Sequence, residues 1–591
     1  MAISLYEPSV DNVLKAQPAT TRTAGGGQIA YPFPSPDDWR DHWIYFLLVD
    51  RFNNPSKPPQ NSDPYDFYQG GNFAGIKKQL PYLKDLGVGA IWVSPVLMNP
   101  PWFEQYWGGY GTLDFLRIEP RFCTDPDQAA KNQDIADKEF RDLVDEAHGQ
   151  GMYIILDIVL NHVGDLFNYE GMRDAAPWND YREYSIYWRN EKGEAQGGWT
   201  DIGSIPGLPR DAGIWPKDFQ RNDFFRRRGT YDNSPDPTRG DFSRMKELVT
   251  EYLIRDANIY PVRNFLIRAY QYLIAKFDLD GFRIDTLQYI EADFARVFGN
   301  AMREYALSIG KKNFFTFGEV WQEDDENRIA EFVGRDTLNG NELVGVDAAI
   351  DFPMRKRLVS VCKGFTPPGD LADHFDYRRR ILKTTVSSHG DASGYYITFL
   401  DNHDLHERFH NTQYPEQTGM ALTLLMCMQG IPCIYYGTEQ GLDGHGDRCE
   451  YVREALWGKP GAFSSTHELY KTIQDLKTLR DRQPALRYGR QYFRPCSGNG
   501  TDFGYSPYCG GVVSLSRILN DCEILIVANT DTQQKATVHV VIDGNLNPDG
   551  RNWSILFSTR QHPAAPGSTT THGACRTIQV TLEPMEAQVL G

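Results

Sequence analysis

The feature that most constrains this chain is an eight-fold alternation of short strand-like runs with stretches of helical periodicity. Runs rich in β-branched and aromatic residues fall at WIYFLLV (43–49), GAIWVSP (89–95), MYIILDIVL (152–160), GFRID (281–285), NFFTFGEV (313–320), VGVDAAIDF (344–352), YYITFLD (395–401) and IPCIYYG (431–437). Apolar residues at helical spacing occupy 73–86, 135–149, 262–277, 291–308, 324–333, 371–383 and 416–429 between them. A strand of a parallel sheet is covered on both faces, so it reads as a continuous apolar run rather than an alternating one. Eight such strands, interleaved with helices, are the arithmetic of a closed (β/α)8 TIM barrel. The expected fold class is α/β, with the barrel assembled from 37–162 and 262–485.

Three segments lie outside the alternation. Residues 163–261, dense in Trp, Tyr, Asp, Pro and Gly, exceed any ordinary βα loop and predict a subdomain inserted after the third strand. After a last helix near 466–482, the pattern changes to GGVVSLSRI, CEILIVANT, KATVHVVID, RNWSILFS and RTIQVTLEP, which predicts an all-β sandwich over 486–591. Residues 1–36, containing PATTRTAGGG and YPFPSP, predict a mobile or loosely draped lead-in.

A TIM barrel builds its site at the C-terminal ends of its strands, so polar residues there are the functional candidates. The third strand ends in DIVLNH (Asp157, Asn161, His162), the fourth in GFRID (Arg283, Asp285), the fifth in FGEVW (Glu319) and the seventh in LDNHD (Asp401, Asn402, His403, Asp404). Side chains along a strand alternate with period two, which puts Arg283 and Asp285 on the same side. A guanidinium beside a carboxylate favours the ionised form that a nucleophile needs. Glu319 follows Phe314, Phe315 and Phe317 and precedes Val320 and Trp321, apolar surroundings that favour a retained proton. Two carboxyl groups in unlike environments divide into proton donor and nucleophile. Taken singly, a strand-end Asp is more often a cap or an ion-pair partner, and His162 or His403 a satisfied structural histidine. Four polar clusters at one end of one barrel outweigh that reading.

Charge and cysteine usage narrow the partners. A formal charge of −17 disfavours nucleic acid as a partner, since a binding groove needs clustered Lys and Arg, and a neutral substrate is expected. No run of about 18 apolar residues suggests a membrane span. The nine cysteines lack CxxC or Cys/His metal spacing and are read as reduced thiols. The N-terminal stretch lacks a signal-peptide pattern, which predicts a cytoplasmic protein, or a secreted one whose signal peptide has been removed.

DIVLNH, GFRID, GEVW and LDNHD, in this order and at these spacings, resemble the four short conserved regions of the α-amylase family of glycoside hydrolases, over about residues 40–591. The resemblance implies a retaining hydrolase acting on α-1,4-linked glucans or malto-oligosaccharides. A glucanosyltransferase or isomerase on the same site is the alternative. A non-catalytic carbohydrate-binding relative would be marked by loss of one carboxylate, and none is lost here. By the same resemblance Asp285 forms the covalent glycosyl-enzyme, Glu319 is the acid/base, and Asp404 holds the sugar hydroxyls. His162, Arg283 and His403 would line that subsite, Asp157 would support Arg283 and His162, and Tyr110 of GGYGTLDF would lie under the sugar. Many starch-active members carry Lys-His where this chain has Gln288-Tyr289, a pair assigned to the leaving-group side. GDFSRMKELVTE resembles a further short region, with Glu247 where Asp is commoner. Calcium is the candidate cofactor, with Asn161 and Asp241 as ligands at the barrel/insert junction and a partial second set in Asp50, Asn54 and Asn72. No organic cofactor is expected.

Overall fold

The computed structural model describes residues 2–15, 22–24, 27–60, 67–195, 198–338 and 343–591. Its centre is a ring of eight parallel strands: β1 (Ile44–Leu47), β2 (Ala90–Val93), β3 (Tyr153–Val159), β4 (Gly281–Asp285), β5 (Phe315–Gly318), β6 (Ala348–Ala349), β7 (Ile397–Thr398) and β8 (Ile431–Tyr435). Sequential strands pair in order, β8 returns to β1, and a parallel bridge from Ile350 to Ile397 joins β6 to β7. The expected TIM barrel is therefore present. Every residue of β1, β2, β4, β5 and β8 is buried, as the continuous apolar runs require.

The helices around the ring start and stop where local chemistry says they should. In α1 (Phe73–Leu86), the Asn72 side chain accepts the Gly75 N–H at 2.8 Å, and Gly87 ends the helix at φ 88°. Asn132 caps α2 (Gln133–Gly149) in the same way, and α3 (Pro261–Phe277) begins on a proline, whose missing N–H costs nothing in a first turn. Next come α4 (Ala292–Ser308) and α5 (Glu326–Ala330), the latter much shorter than the 324–333 stretch suggested.

The largest departure from the sequence pattern lies after β6. VGVDAAIDF reads as one strand, but only Ala348–Ala349 is strand, and Asp351 turns the chain by accepting the Met354 N–H at 3.1 Å. A helix that the periodicity did not reveal, α6 (Phe352–Cys362), begins there with Pro353 in its first turn, followed by α7 (Gly369–Ile381). Two more helices, α8 (Glu416–Cys427) and α9 (Glu468–Arg482), complete the outer ring.

The chain ends in two antiparallel sheets of five and four strands, the expected sandwich. Period two divides the five-stranded sheet: Leu525 and Val527 face the four-stranded partner, while Val513, Leu515, Ile524 and Ile526 join the barrel core. The insert is likewise continuous with that core through Phe167, Trp188 and Phe225.

The first described part of the lead-in is draped over the insert and the outer helices. In residues 2–15, Leu5 and Val10 are fully buried, the Leu5 N–H donates to Asp218 of the insert at 2.7 Å, and Arg268 of α3 donates to the Leu5 carbonyl at 2.8 Å. The PATTRTAGGG stretch lies largely outside the described residues. All nine cysteines are free thiols, and no helix among the described residues is long and apolar enough to cross a membrane.

Candidate active site

The C-terminal ends of β3, β4, β5 and β7 meet around one buried guanidinium, that of Arg283. Its Nη1 contacts Asp285 Oδ1 at 2.7 Å and both oxygens of Asp157 at 2.9 and 3.0 Å. Its Nη2 lies 2.9 Å from Glu319 Oε1. Strand register explains the gathering: Arg283 is paired with Asp157 on β3 and Phe317 on β5, and Glu319 follows one residue past the end of β5. Gly318 permits that approach, since a Cβ there would come within 2.0 Å of Leu287 Cδ2.

Glu319 is held from a second side. Its Oε2 accepts the Thr286 N–H at 3.0 Å, and Thr286 sits at φ 48°, a left-handed conformation costly for a β-branched residue. The strained turn after Asp285 aims this N–H at the neighbouring strand end.

Asp404 faces the group from the end of β7. Its Oδ2 lies 3.3 Å from His403 Nε2, and its Oδ1 accepts from Arg453 Nη2 at 2.9 Å. Arg453 also binds the His403 carbonyl at 2.7 Å, so one side chain from the loop after β8 fixes both residues. The Tyr110 hydroxyl bridges Asp157 Oδ2 and His403 Nε2, each at 2.9 Å, and its ring stacks on the His403 imidazole.

Burial and unequal charge separate these carboxyl groups. Burial raises Glu319 to about 8 and Asp285 to about 7, against the pull of Arg283. Asp157 rises to about 6 for the same reason. Asp404 is half-buried, and although desolvation opposes its ionisation, His403, Arg453 and Arg283 outweigh that and hold it below the usual carboxylate range. A single guanidinium serves three carboxyl groups, so the cluster retains a proton most readily on Glu319. Burial depresses His162 and His403 to about 3, which leaves both imidazoles neutral at physiological pH.

Most of the residues singled out from sequence meet here: Tyr110, Asp285, Glu319, His403 and Asp404 line a cavity of about 530 Å³, with Asp157 and Arg283 behind them. His162 stacks on Phe242, another lining residue. The Gln288 side chain pairs with Gln322 at 3.0 Å, and Tyr289 joins Tyr231 and Phe242 in an aromatic cluster at the cavity edge. Sequence reasoning missed Trp107, Thr286, Glu450 and Arg453, which carry no local motif. Several buried polar atoms at the site have no protein partner, including His162 Nε2, Thr286 Oγ1, Asn402 Nδ2 and His403 Nδ1. Such atoms are what a polyhydroxylated ligand would satisfy.

Comparison with known proteins decides the family. The alpha amylase catalytic domain matches residues 46–484, most of the chain. The chain belongs to the α-amylase family. Among α-amylase relatives, an alpha-amylase of Streptomyces lividans is 27% identical over 502 residues, covering 75% of this chain and 50% of its own. An intracellular maltogenic amylase of Bacillus subtilis is 26% identical over 427 residues, with coverages of 70% and 58%. A cyclomaltodextrin glucanotransferase of Geobacillus stearothermophilus is 26% identical over 470 residues, with coverages of 76% and 55%. The chain thus spans about half the length of these relatives. The α-amylase fold recurs in the acarbose complex of the Geobacillus thermoleovorans enzyme (TM-score 0.62, 23% identity, 94% of this chain and 99% of that one).

Proposed function

We propose that this α-amylase family member is a retaining glycoside hydrolase acting on α-1,4-linked glucans or malto-oligosaccharides. The observation that carries the reading is the shared guanidinium, which holds Asp285 at 2.7 Å and Glu319 at 2.9 Å side by side. Carboxyl groups kept close, about 5–5.5 Å apart, serve a double-displacement mechanism, whereas inverting pairs stand about 6.5–9.5 Å apart.

Asp285 Oδ1 is engaged by Arg283, so Oδ2 is the atom that attacks the anomeric carbon. Glu319 gives its proton to the departing glycosidic oxygen, and the glycosyl–Asp285 ester forms as that bond breaks. In the second step Glu319, now a carboxylate, takes a proton from water, whose oxygen displaces Asp285. Asp404, ionised and fixed by Arg453, holds sugar hydroxyls and stabilises positive charge on the ring. Tyr110 supplies an aromatic face beneath the sugar, and neutral His162 and His403 offer hydrogen bonds to its hydroxyls.

A second reading, transfer to a sugar acceptor instead of water, draws support from the Tyr231, Phe242 and Tyr289 cluster, since rings at the cavity edge favour a sugar as acceptor. A cyclomaltodextrin glucanotransferase among the relatives supports it as well. Nine free thiols favour a reducing, cytoplasmic compartment. Incubation with maltoheptaose, starch, pullulan, isomaltose and sucrose, with products resolved by time and anomer, tests both readings. Shorter α-anomeric products support the hydrolase, products longer than the substrate support transfer, and β-anomeric products overturn the retaining mechanism.

A further inference from the structure

The Lys246 ammonium is completely buried where the insert meets the end of β3. Lys246 and Glu247 form a short antiparallel ladder with Val163 and His162, so the lysine lies one residue from the partner of an active-site histidine. Three oxygens surround Nζ: the Asp174 carbonyl at 2.6 Å, Asp241 Oδ2 at 3.4 Å and Asp165 Oδ1 at 3.6 Å. The rings of Phe167 and Tyr169 lie 5.1 and 4.8 Å from it. Arg189 and Arg244 each bridge Asp165 and Asp174, at 2.8–3.1 Å. Three carboxylates are thus answered by three cationic side chains.

Most of the carboxylate oxygens expected near calcium already accept from protein donors. Asp241 Oδ1 accepts the Glu247 N–H at 3.0 Å, and Oδ2 accepts the Tyr169 hydroxyl as well as Lys246. The Asn161 side-chain amide nitrogen faces His162 Nδ1 at 3.3 Å, and the Asn161 backbone carbonyl accepts the Leu248 N–H at 2.9 Å. Glu247 pairs with Arg226, which also binds Glu251. In the first βα loop, Asp50 accepts from Arg51, Gln69 and Gly70, Asn54 Oδ1 from Ser56 and Lys57, and Asn72 Oδ1 from Gly75. No group of three or more metal-binding His, Cys, Asp or Glu side chains occurs among the described residues. Calcium requires about six to eight oxygens. The residues present do not fit it, and a divalent ion beside the ammonium would add repulsion to a network already balanced.

We propose that Lys246 supplies, as part of the chain, the positive charge that would otherwise call for a metal at this junction. It holds the insert to β3 without calcium.

The test uses metal content by atomic emission and thermal unfolding, neither of which depends on turnover. The intact protein should carry less than one calcium per chain and melt identically in EDTA and in millimolar calcium. Lys246→Met, which fills the space without the charge, should melt at lower temperature in both conditions. A wild-type chain that carries stoichiometric calcium and melts lower in EDTA overturns the proposal. So does a Lys246→Met chain that melts like wild type, or one destabilised only in EDTA. If Lys246→Met fails to fold, the wild-type comparison alone decides.

Discussion

The active-site cavity and the insert junction are both built around a buried cation, and they differ in how many carboxylates that cation must serve. Arg283 faces Asp157, Asp285 and Glu319, with Asp404 nearby on Arg453. At the junction, Lys246, Arg189 and Arg244 answer Asp165, Asp174 and Asp241 one for one. Burial raises a carboxyl group in both places, but to different extents: Asp241 reaches about 6 beside an ammonium backed by two further cations, while Glu319 reaches about 8 on one guanidinium that three carboxyl groups share. At neutral pH the first is an anion that ties two segments together, and the second holds a proton that it can give away. Surplus negative charge makes a reactive site; balanced charge makes a joint.

The sharpest way to break that contrast is Asp285→Asn. Turnover should fall by at least about 10⁴-fold, the loss that the proposed nucleophile role requires. Because one of the surplus charges is removed, the melting temperature should hold or rise. Retained activity would remove Asp285 from the nucleophile role, and a collapsed fold would show that the cluster is structural like the junction.

Removing the cations should come next in size. Arg283→Met leaves buried carboxylates unpaired and should cost about 3–5 kcal/mol in denaturant unfolding, together with activity. Lys246→Met should cost a similar amount, yet a chain that still folds should keep most of its turnover. Equal loss of activity in both would erase the distinction between reactive and structural sites.

The pH response sharpens it further. In the proposed mechanism Glu319 must be protonated to act, so kcat/KM should fall as pH rises through about 8, and a rate still rising there would contradict that role. Stability carries the same sign. A carboxyl raised from 4.5 to about 8 contributes stability that is full below pH 4.5 and lost as pH climbs through the folded value. Glu319→Gln should therefore flatten the decline of melting temperature across that window. Asp404, depressed in the fold, has the opposite sign: its contribution is present above the unfolded pKa and is lost on acidification through the folded one.

The smallest effect is expected for Arg453→Gln. Loss of its bond to Asp404 should reduce kcat/KM about 10–100-fold, from one lost charged hydrogen bond of about 1.5–3 kcal/mol, and leave the basic limb in place. A shifted basic limb would mean that Arg453 sets the proton affinity of Glu319 as well.

The amino-acid sequence by itself determined the barrel, the sandwich and the strand ends that carry polar residues. Burial on both faces makes a strand a continuous apolar run, and period two places Arg283 beside Asp285, so these features are written locally. A cap hid the helix at Phe352–Cys362, because Asp351 turns a strand-like run into a helix start with a single side-chain bond. Only the tertiary structure decided who shares each charge. Arg283 reaches Asp157 across 126 residues of sequence, and Arg453 reaches Asp404 across 49. Those distances close only when β3 lies against β4 and the loop after β8 folds back over the cavity. Lys246 is the clearest instance: in GDFSRMKELVTE it is one basic residue among polar ones, and only the fold places its ammonium among three oxygens. Periodicity tells a side chain which way to point, while closure of the barrel and docking of the insert decide what it meets.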